Sequence, residues 1–224
     1  MAKERGGGRR PSATALSQEA VTQAAIDILD ASGESGLTFR VLAERLHTGA
    51  GAIYWHVANR NELLDLACDA VLTAAGQTST AVEVEPLDTV HALALAWFDL
   101  LEQHPWIGTH LAQAPTLPST LRALEQIGSA LEAFGTPLEQ QFNMATAIFT
   151  YVIAVAAQMT RNAQVAAGQS QEEWLAKRAK RWEQLEPTSF PFLTRVAAEF
   201  SRHDDRDQFI AGLELLLTGV RSAH

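Results

Sequence analysis

The chain has 224 residues, 47% of them hydrophobic, enough for one large domain or for a small and a medium one. A net charge of −9 argues at first against a nucleic-acid partner, and a single cysteine excludes an internal disulfide. The N-terminal MAKERGGGRRPSATA lacks the apolar core of a signal peptide, and the nearly uncharged run Phe142 to Thr160 contains Asn143, Thr146, Thr150 and Gln158, so it reads as a buried helix rather than a membrane span.

The charge is unevenly spread. Residues 1–60 carry seven basic side chains (Lys3, Arg5, Arg9, Arg10, Arg40, Arg45, Arg60) against six acids, a net of +1, and the remainder sums to −10. Within residues 1–16 the balance is four basic to one acidic. Exposed charges farther apart than about 8–10 Å are largely screened at physiological salt. A basic tail beside a near-neutral head can therefore bind DNA while an acidic body stays away from it.

In chain order, Ser17 is placed to cap a first helix from about Gln18 to Ala31, with Glu19 in its first turn. Val21, Ala24, Ala25, Ile28 and Leu29 form one apolar stripe, and Gly33 and Gly36 end the helix. Thr38 opens a second helix, with Leu37 and Leu42 at the spacing of a hydrophobic staple and Val41, Leu42 and Leu46 inward. It stops near His47, and Thr48-Gly49 supplies the turn into a third helix, Ala50 to Val57, with Ile53 and Val57 on its inner side. Asn59 caps a fourth, with Glu62 placed as in a capping box and Leu63, Leu64, Ala67 and Val71 packing inward. Cys68 on that helix reads as a small apolar packer rather than a redox group.

Two short helices joined by a tight turn and followed by a capped helix form the layout of a DNA-reading helix-turn-helix. A helix as short as the third is marginal alone, so it must lie on its neighbours with its outer face free. That face begins with Gly49, Ala50, Gly51 and Ala52, small enough to let a helix N-terminus approach base edges or phosphate. Tyr54, Trp55 and His56 follow. Two readings of them stand: packing of the head, or hydrogen bonding to phosphate oxygens.

These residues carry a resemblance. Ser17 to about Leu72 resembles the DNA-binding head of the TetR family of transcriptional regulators, through Gly-Leu-Thr at 36–38, Leu-Ala-Glu-Arg-Leu at 42–46, Ala-Ile-Tyr-Trp-His-Val at 52–57 and Asn-Arg-Asn-Glu-Leu-Leu at 59–64. The YWHV form is similar to the tetracycline-repressor branch. The resemblance implies that Arg40 reaches a base edge or phosphate from the second helix. It makes Thr48, Gly49, Ala50, Gly51 and Ala52 the reading end of the recognition helix. Thr38, Tyr54, His56 and Arg60 would hold the DNA backbone, with Trp55 on the same surface. The reading end lacks Gln, Asn or Arg for bidentate base contacts, so specificity is expected from Arg40, thymine methyl contacts and DNA shape. Arg9-Arg10 would add minor-groove contacts or remain in a solvated tail.

The rest reads helical almost throughout: near Leu87 to His104, a short segment after Pro105, Ser119 to Phe134, Pro137 to about Ala167, Gln171 to Glu186, a helix ending near Arg202, and Asp205 to Val220. The expectation is an all-α fold: a helix-turn-helix head at 17–76 behind a basic flexible arm at 1–16, and a helical-bundle body for ligand binding and dimerisation at 77–224. Two body helices are apolar on more than one face, which fits either a thick monomer core or a two-fold interface. The interface candidates are Val152, Val155, Met159, Phe209, Leu213, Leu216, Leu217 and Val220, and the resemblance implies dimerisation through such late helices. Trp97, Leu101, His104, Trp106, Phe134, Phe142, Phe149 and Tyr151 are candidates for an apolar ligand pocket, or are ordinary core.

His91, His104 and His110 lack a carboxylate or cysteine at ligand spacing, so no metal or cofactor is expected. No phosphate loop, nucleophile elbow or zinc signature is present, which argues against an enzyme. The reading is a cytoplasmic, ligand-responsive regulator. It would bind a palindromic double-stranded DNA operator as a homodimer, acting as a repressor released by a small apolar or aromatic effector. The alternative is a helical small-molecule binding or scavenging protein with weak DNA specificity.

Overall fold

The structure, a computed structural model, describes residues 16–76, 85–111, 116–165 and 170–223. The arm with Arg9 and Arg10 and the break expected at Gly168 lie outside them. Every regular element among the described residues is a helix: α1 (Gln18–Gly36), α2 (Phe39–Arg45), α3 (Ala50–Ile53), α4 (Arg60–Gly76), α5 (Pro86–Gln103), α6 (Trp106–Leu111), α7 (Pro118–Phe134), α8 (Leu138–Val165), α9 (Gln171–Glu183), α10 (Pro191–Phe200) and α11 (Asp205–Ser222). The chain divides into two compact units between Leu63 and Leu64, so the first turn of α4 belongs to the first unit and its remainder to the second.

Local capping sets the helix starts of the first unit. Ser17 Oγ accepts from the Ala20 N–H, Thr38 Oγ1 from Val41, and Asn59 Oδ1 from Glu62, each satisfying an orphan donor of a first turn. The reciprocal bond of Glu62 goes to the Ala58 N–H at 2.6 Å, one residue before the capping asparagine. α1 breaks at Gly33, whose φ of 62° is a left-handed conformation open to glycine and strained for other residues. Val21, Ala25, Leu29, Leu37, Leu42, Ile53, Val57 and Leu63 are all at most 2% exposed and form the core. Arg45 reaches from α2 to Asp27 on α1 at 2.6 Å; Gln23 and then Arg45 hold the Asp27 carboxyl below the usual carboxylate range.

The turn between α2 and α3 departs from the sequence reading. Its left-handed residue is His47, at φ 50°, while Gly49 has an ordinary φ of −85° and serves as the N-cap of α3. A side chain with a Cβ is strained there, so His47→Gly should raise the unfolding free energy by about 0.5–1 kcal/mol, the strain relieved less the entropy cost of glycine. Urea denaturation of both variants checks it. An unchanged midpoint would mean that the backbone relaxes at this residue.

In the second unit, α5, α7 and α8 pack against one another, α6 lies on α8, and α11 lies on α8 and α5. Trp97 meets Phe149 edge-on at 5.8 Å, and Phe209 of α11 stacks on Phe98 at 4.4 Å and on Tyr151 at 5.6 Å. The Tyr151 hydroxyl donates to the Phe209 carbonyl at 3.0 Å, and burial raises its pKa. Gly212 makes this approach of α8 and α11 possible, because a Cβ there would collide with the Tyr151 ring and hydroxyl. α9 and α10 pack on each other through Trp182 and Phe200, with α9 opened by a Ser170–Glu173 capping box. The turn between them is closed by Glu186, whose carboxylate accepts from Thr188 and Ser189 and is held down to about 2 by those bonds.

Cys68 is fully buried, and burial first, then Asp69 and Asp65, push its thiol pKa up, which keeps it an inert packer. α8 contains the stretch Leu138–Met159, with a mean hydropathy of 1.5, long and apolar enough to cross a bilayer by length and composition. Only 24% of that stretch is buried. The sequence leads one to expect a buried helix here; one face of α8 is covered by α5, α6, α7 and α11, and Leu138 and Phe142 remain 79% and 70% exposed.

Candidate nucleic-acid interface and ligand cleft

α3 is a single helical turn, shorter than the sequence reading of Ala50 to Val57. Beyond Ile53 the chain continues in hydrogen-bonded turns, with the His56 and Val57 N–H groups both donating to the Ile53 carbonyl. Ile53 is the buried residue of α3, at 0% exposure, and Val57 beyond it is 2% exposed. One apolar side chain therefore pins the turn, and Gly49, Ala50 and Gly51 face outward uncovered. Ala52 and Thr48 are half-buried.

Trp55 is 89% exposed, so of the two readings the head-packing one does not hold for it. Tyr54 packs in part: it is 55% exposed, and its ring stacks on Phe39 of α2 at 4.6 Å. That stack orients an exposed phenol from beneath. Phe39 is a contributor that the sequence reading passed over; its position directly before Arg40 and its aromatic character were the available signal. The His56 carbonyl accepts from the Gln18 amide at 3.1 Å, tying the end of the turn back to α1.

Arg40 is free to reach outward: its side chain is 84% exposed and its ion pair with Glu44 is long, at 4.0 Å. Thr38 spends its hydroxyl on the α2 cap. Arg60 is occupied within the head. Its Nη2 donates to the Glu34 carbonyl at 2.5 Å and its Nε to Leu37 at 3.3 Å, with the Glu34 carboxylate at 3.5 Å. It thus clamps the corner between α1 and α2, just ahead of Thr38.

The pocket candidates do not converge. Trp97, Leu101 and Trp106 are buried, Phe149 borders a narrow crevice with Trp97, Ile127 and Val152, and Phe142 points away from the core. Tyr151 turns toward α11, and His104 contacts Trp106. A larger cleft, about 170 Å³, opens between α4, α5 and α7, lined by Leu72, Thr73, Trp97, Ser119, Arg122, Ala123 and Gln126. Of these the sequence singled out Trp97 alone.

α4 is fastened to its neighbours by two carboxylates. Asp65 meets His110 Nε2 of α6 at 2.7 Å, and Asp69 accepts from the Ser119 N–H at the start of α7, also at 2.7 Å. The N-cap of α7, Leu117, has no capping side chain, so Asp69 supplies that acceptor from another helix. His91 pairs with Glu214, and among the described residues no three His, Cys, Asp or Glu side chains gather as a metal site.

The interface candidates separate into two sets. Phe209, Leu213, Leu217, Val220 and Val152 are at most 4% exposed and fill the protomer's own core. Leu216, with Val155 and Met159 also partly exposed, borders an open groove on α8 and α11 with Asn143, Ala147, Thr150 and Ala154. Leu215 beside it is 75% exposed.

Comparison with known proteins agrees with this architecture. Residues 87–223 match the family model described as tetracyclin repressor-like, C-terminal domain. An HTH-type transcriptional regulator of Saccharopolyspora erythraea is 33% identical over 141 residues, 62% of this chain and 58% of that protein's own length. The transcriptional regulator SCO7222, a TetR from Streptomyces coelicolor, superposes with a TM-score of 0.80 at 42% identity, over 93% of this chain and 99% of its own. The TetR family protein ActR of the same organism, in complex with actinorhodin, gives 0.79 at 27% identity over 93% and 97%. A one-turn recognition helix on a small capped head, followed by an all-helical body of this family's pattern, makes the chain a member of the TetR family of transcriptional regulators.

Proposed function

We propose that the protein is a cytoplasmic, non-enzymatic transcriptional repressor that binds a palindromic operator as a homodimer and is released by a small effector with an apolar or aromatic body. In functional terms residues 1–16 form the basic arm, 17–76 the DNA-binding domain and 77–224 the ligand-binding and dimerisation domain. The observation that carries the reading is the outward surface of the recognition turn: Gly49, Ala50 and Gly51 uncovered, Tyr54 and Trp55 exposed, and Ile53 anchored beneath. Aromatic rings this exposed cost solvation unless a partner uses them, and a DNA backbone supplies acceptors for the phenol.

A dimer places two heads in successive major grooves, roughly 34–36 Å apart or a multiple of that. The second copy is the occupant that fits the open α8 and α11 groove, because it continues an apolar surface that the protomer leaves uncovered. ActR was solved with a small molecule bound, which supports an effector for this chain as well. An effector shifts operator affinity only by binding the two states unequally, with a coupling of about 1–3 kcal/mol.

Selection of bound genomic fragments should recover a palindromic site; recovering none would overturn the proposal. On that site, Arg40→Ala is expected to lose about 1–3 kcal/mol of discrimination, so that operator binding falls while random-DNA binding changes little. Gel-shift titration on both DNAs checks this. Equal loss on the two would make Arg40 a phosphate anchor only.

A further inference from the structure

Backbone hydrogen bonds define the turn that ends α2. The His47 N–H donates to the Glu44 carbonyl at 3.3 Å and the Thr48 N–H to the Ala43 carbonyl at 3.0 Å. That pair of bonds is a Schellman close, which puts one residue in the left-handed region, and glycine is its usual occupant. Here the residue is His47, at φ 50°, the one non-glycine with a positive φ among the described residues. A Cβ is strained in that conformation, so glycine would suit the turn better. The imidazole adds no contact to the fold. His47 is exposed, and its ring has no hydrogen bond, ion pair or ring contact among the described residues.

His47 stands two residues ahead of Gly49, where the uncovered surface of the recognition turn begins. That surface has no donor side chain of its own, since Gly49, Ala50 and Gly51 carry none. Its hold on a duplex must come from its flanks. Tyr54 and His56 stand on the C-terminal flank. On the N-terminal flank Arg45 is taken by Asp27 at 2.6 Å and Thr48 is half-buried, which leaves His47 as the exposed donor. A recognition helix enters the major groove by its N-terminal end, so a residue just ahead of that end meets the phosphate rim. Residues held in sparsely populated backbone regions cluster where a ligand uses them. We propose that His47 is a DNA contact: its imidazole donates to a backbone phosphate oxygen on the entering side of each recognition turn. The chain keeps a histidine where its own turn favours glycine, and a less stable head holds the duplex more tightly. This inference rests on the reading of the surface as a DNA interface and adds to it a residue outside the family's motif.

The test separates the donor from the strain with three variants of the full chain. His47→Gly removes both, His47→Ala keeps the strain without a donor, and His47→Arg keeps the strain with one. Fluorescence anisotropy reads their affinities for the selected genomic site and for a duplex of random sequence. Circular dichroism melts confirm that each variant folds. Affinity should follow the donor. His47→Gly and His47→Ala should each bind roughly tenfold more weakly, the effect of losing a hydrogen bond to a charged group, and His47→Arg within about threefold of the wild type. The loss should be equal on the two duplexes, because a phosphate contact carries no sequence information. Replacing the phosphates of the selected site one at a time by methylphosphonate should find a position in each half-site that weakens the wild type and leaves His47→Gly unaffected. His47→Gly binding as tightly as the wild type, or His47→Ala alone losing affinity, overturns the inference. So does a methylphosphonate scan that treats the wild type and His47→Gly alike. All three results leave the DNA-binding reading intact as long as the wild type binds the selected site; a wild type that binds neither duplex removes that reading itself.

Discussion

Ile53→Ala should abolish operator binding at 37 °C while leaving the DNA-facing residues chemically unchanged. Ile53 is 0% exposed and is the buried side chain of a recognition helix only one turn long. Nothing local sustains so short a helix, since its first turn fixes backbone torsions for a single hydrogen bond. Its geometry is therefore imposed by the burial of Ile53 in the core of the head and by the packing of α3 on α2. Removing three carbons costs about 2–5 kcal/mol at a fully buried aliphatic site, and a head of this size has little stability to lose. Ile53→Val, losing one methylene, should cost about 0.5–1.5 kcal/mol and leave binding measurable. Thermal melts followed by circular dichroism, with gel shifts on the selected operator, give both quantities. An Ile53→Ala protein that binds within twofold of the wild type would show that the turn is held by its backbone and flanks alone.

Leu216→Glu combined with Ala154→Glu should convert a dimer to a 24.3 kDa monomer in light scattering and lower operator affinity by roughly 10²–10⁴-fold. Both positions border the open apolar groove of α8 and α11, where a carboxylate can remain solvated in the monomer but must lose water against a second copy. The loss on DNA follows from losing the tethered second head rather than from any change at the recognition turn. Leu213→Glu is the informative contrast. Leu213 is 0% exposed inside the protomer, so its replacement should destabilise the fold whatever the oligomeric state. A double variant that keeps the dimer mass would remove this groove from the interface.

Ser17, Thr38 and Asn59 cap their helices as their residue types and three-residue spacings require, because a cap is a bond between near neighbours in the chain. The apolar stripe of α1, the staple of Leu37 and Leu42, and the inward Ile53 and Val57 were legible for the same reason: helical periodicity is a local property. That was enough to identify the head, its family and an all-α body. It was not enough to end α3 after Ile53 or to locate the strained turn at His47, since four residues carry too little pattern to bound a helix.

Periodicity marks a face as apolar without saying what covers it. Leu213 and Leu216 look alike along the chain, and only packing assigns the first to the protomer's own core and the second to an open groove. Arg60 shows the same divide among polar groups. Its motif position in the sequence pointed to DNA phosphate, whereas the fold brings two carbonyls and a carboxylate 23 to 26 residues away within its reach. The α4–α7 joint is more distant still: Asp69 and Ser119 are 50 residues apart, and no spacing rule links them. Local bonding and hydrophobic rhythm thus wrote the helices and the recognition head into the sequence. The partners of long charged side chains, the uncovered faces and the cleft were settled by tertiary packing, which brings together groups that the chain itself keeps far apart.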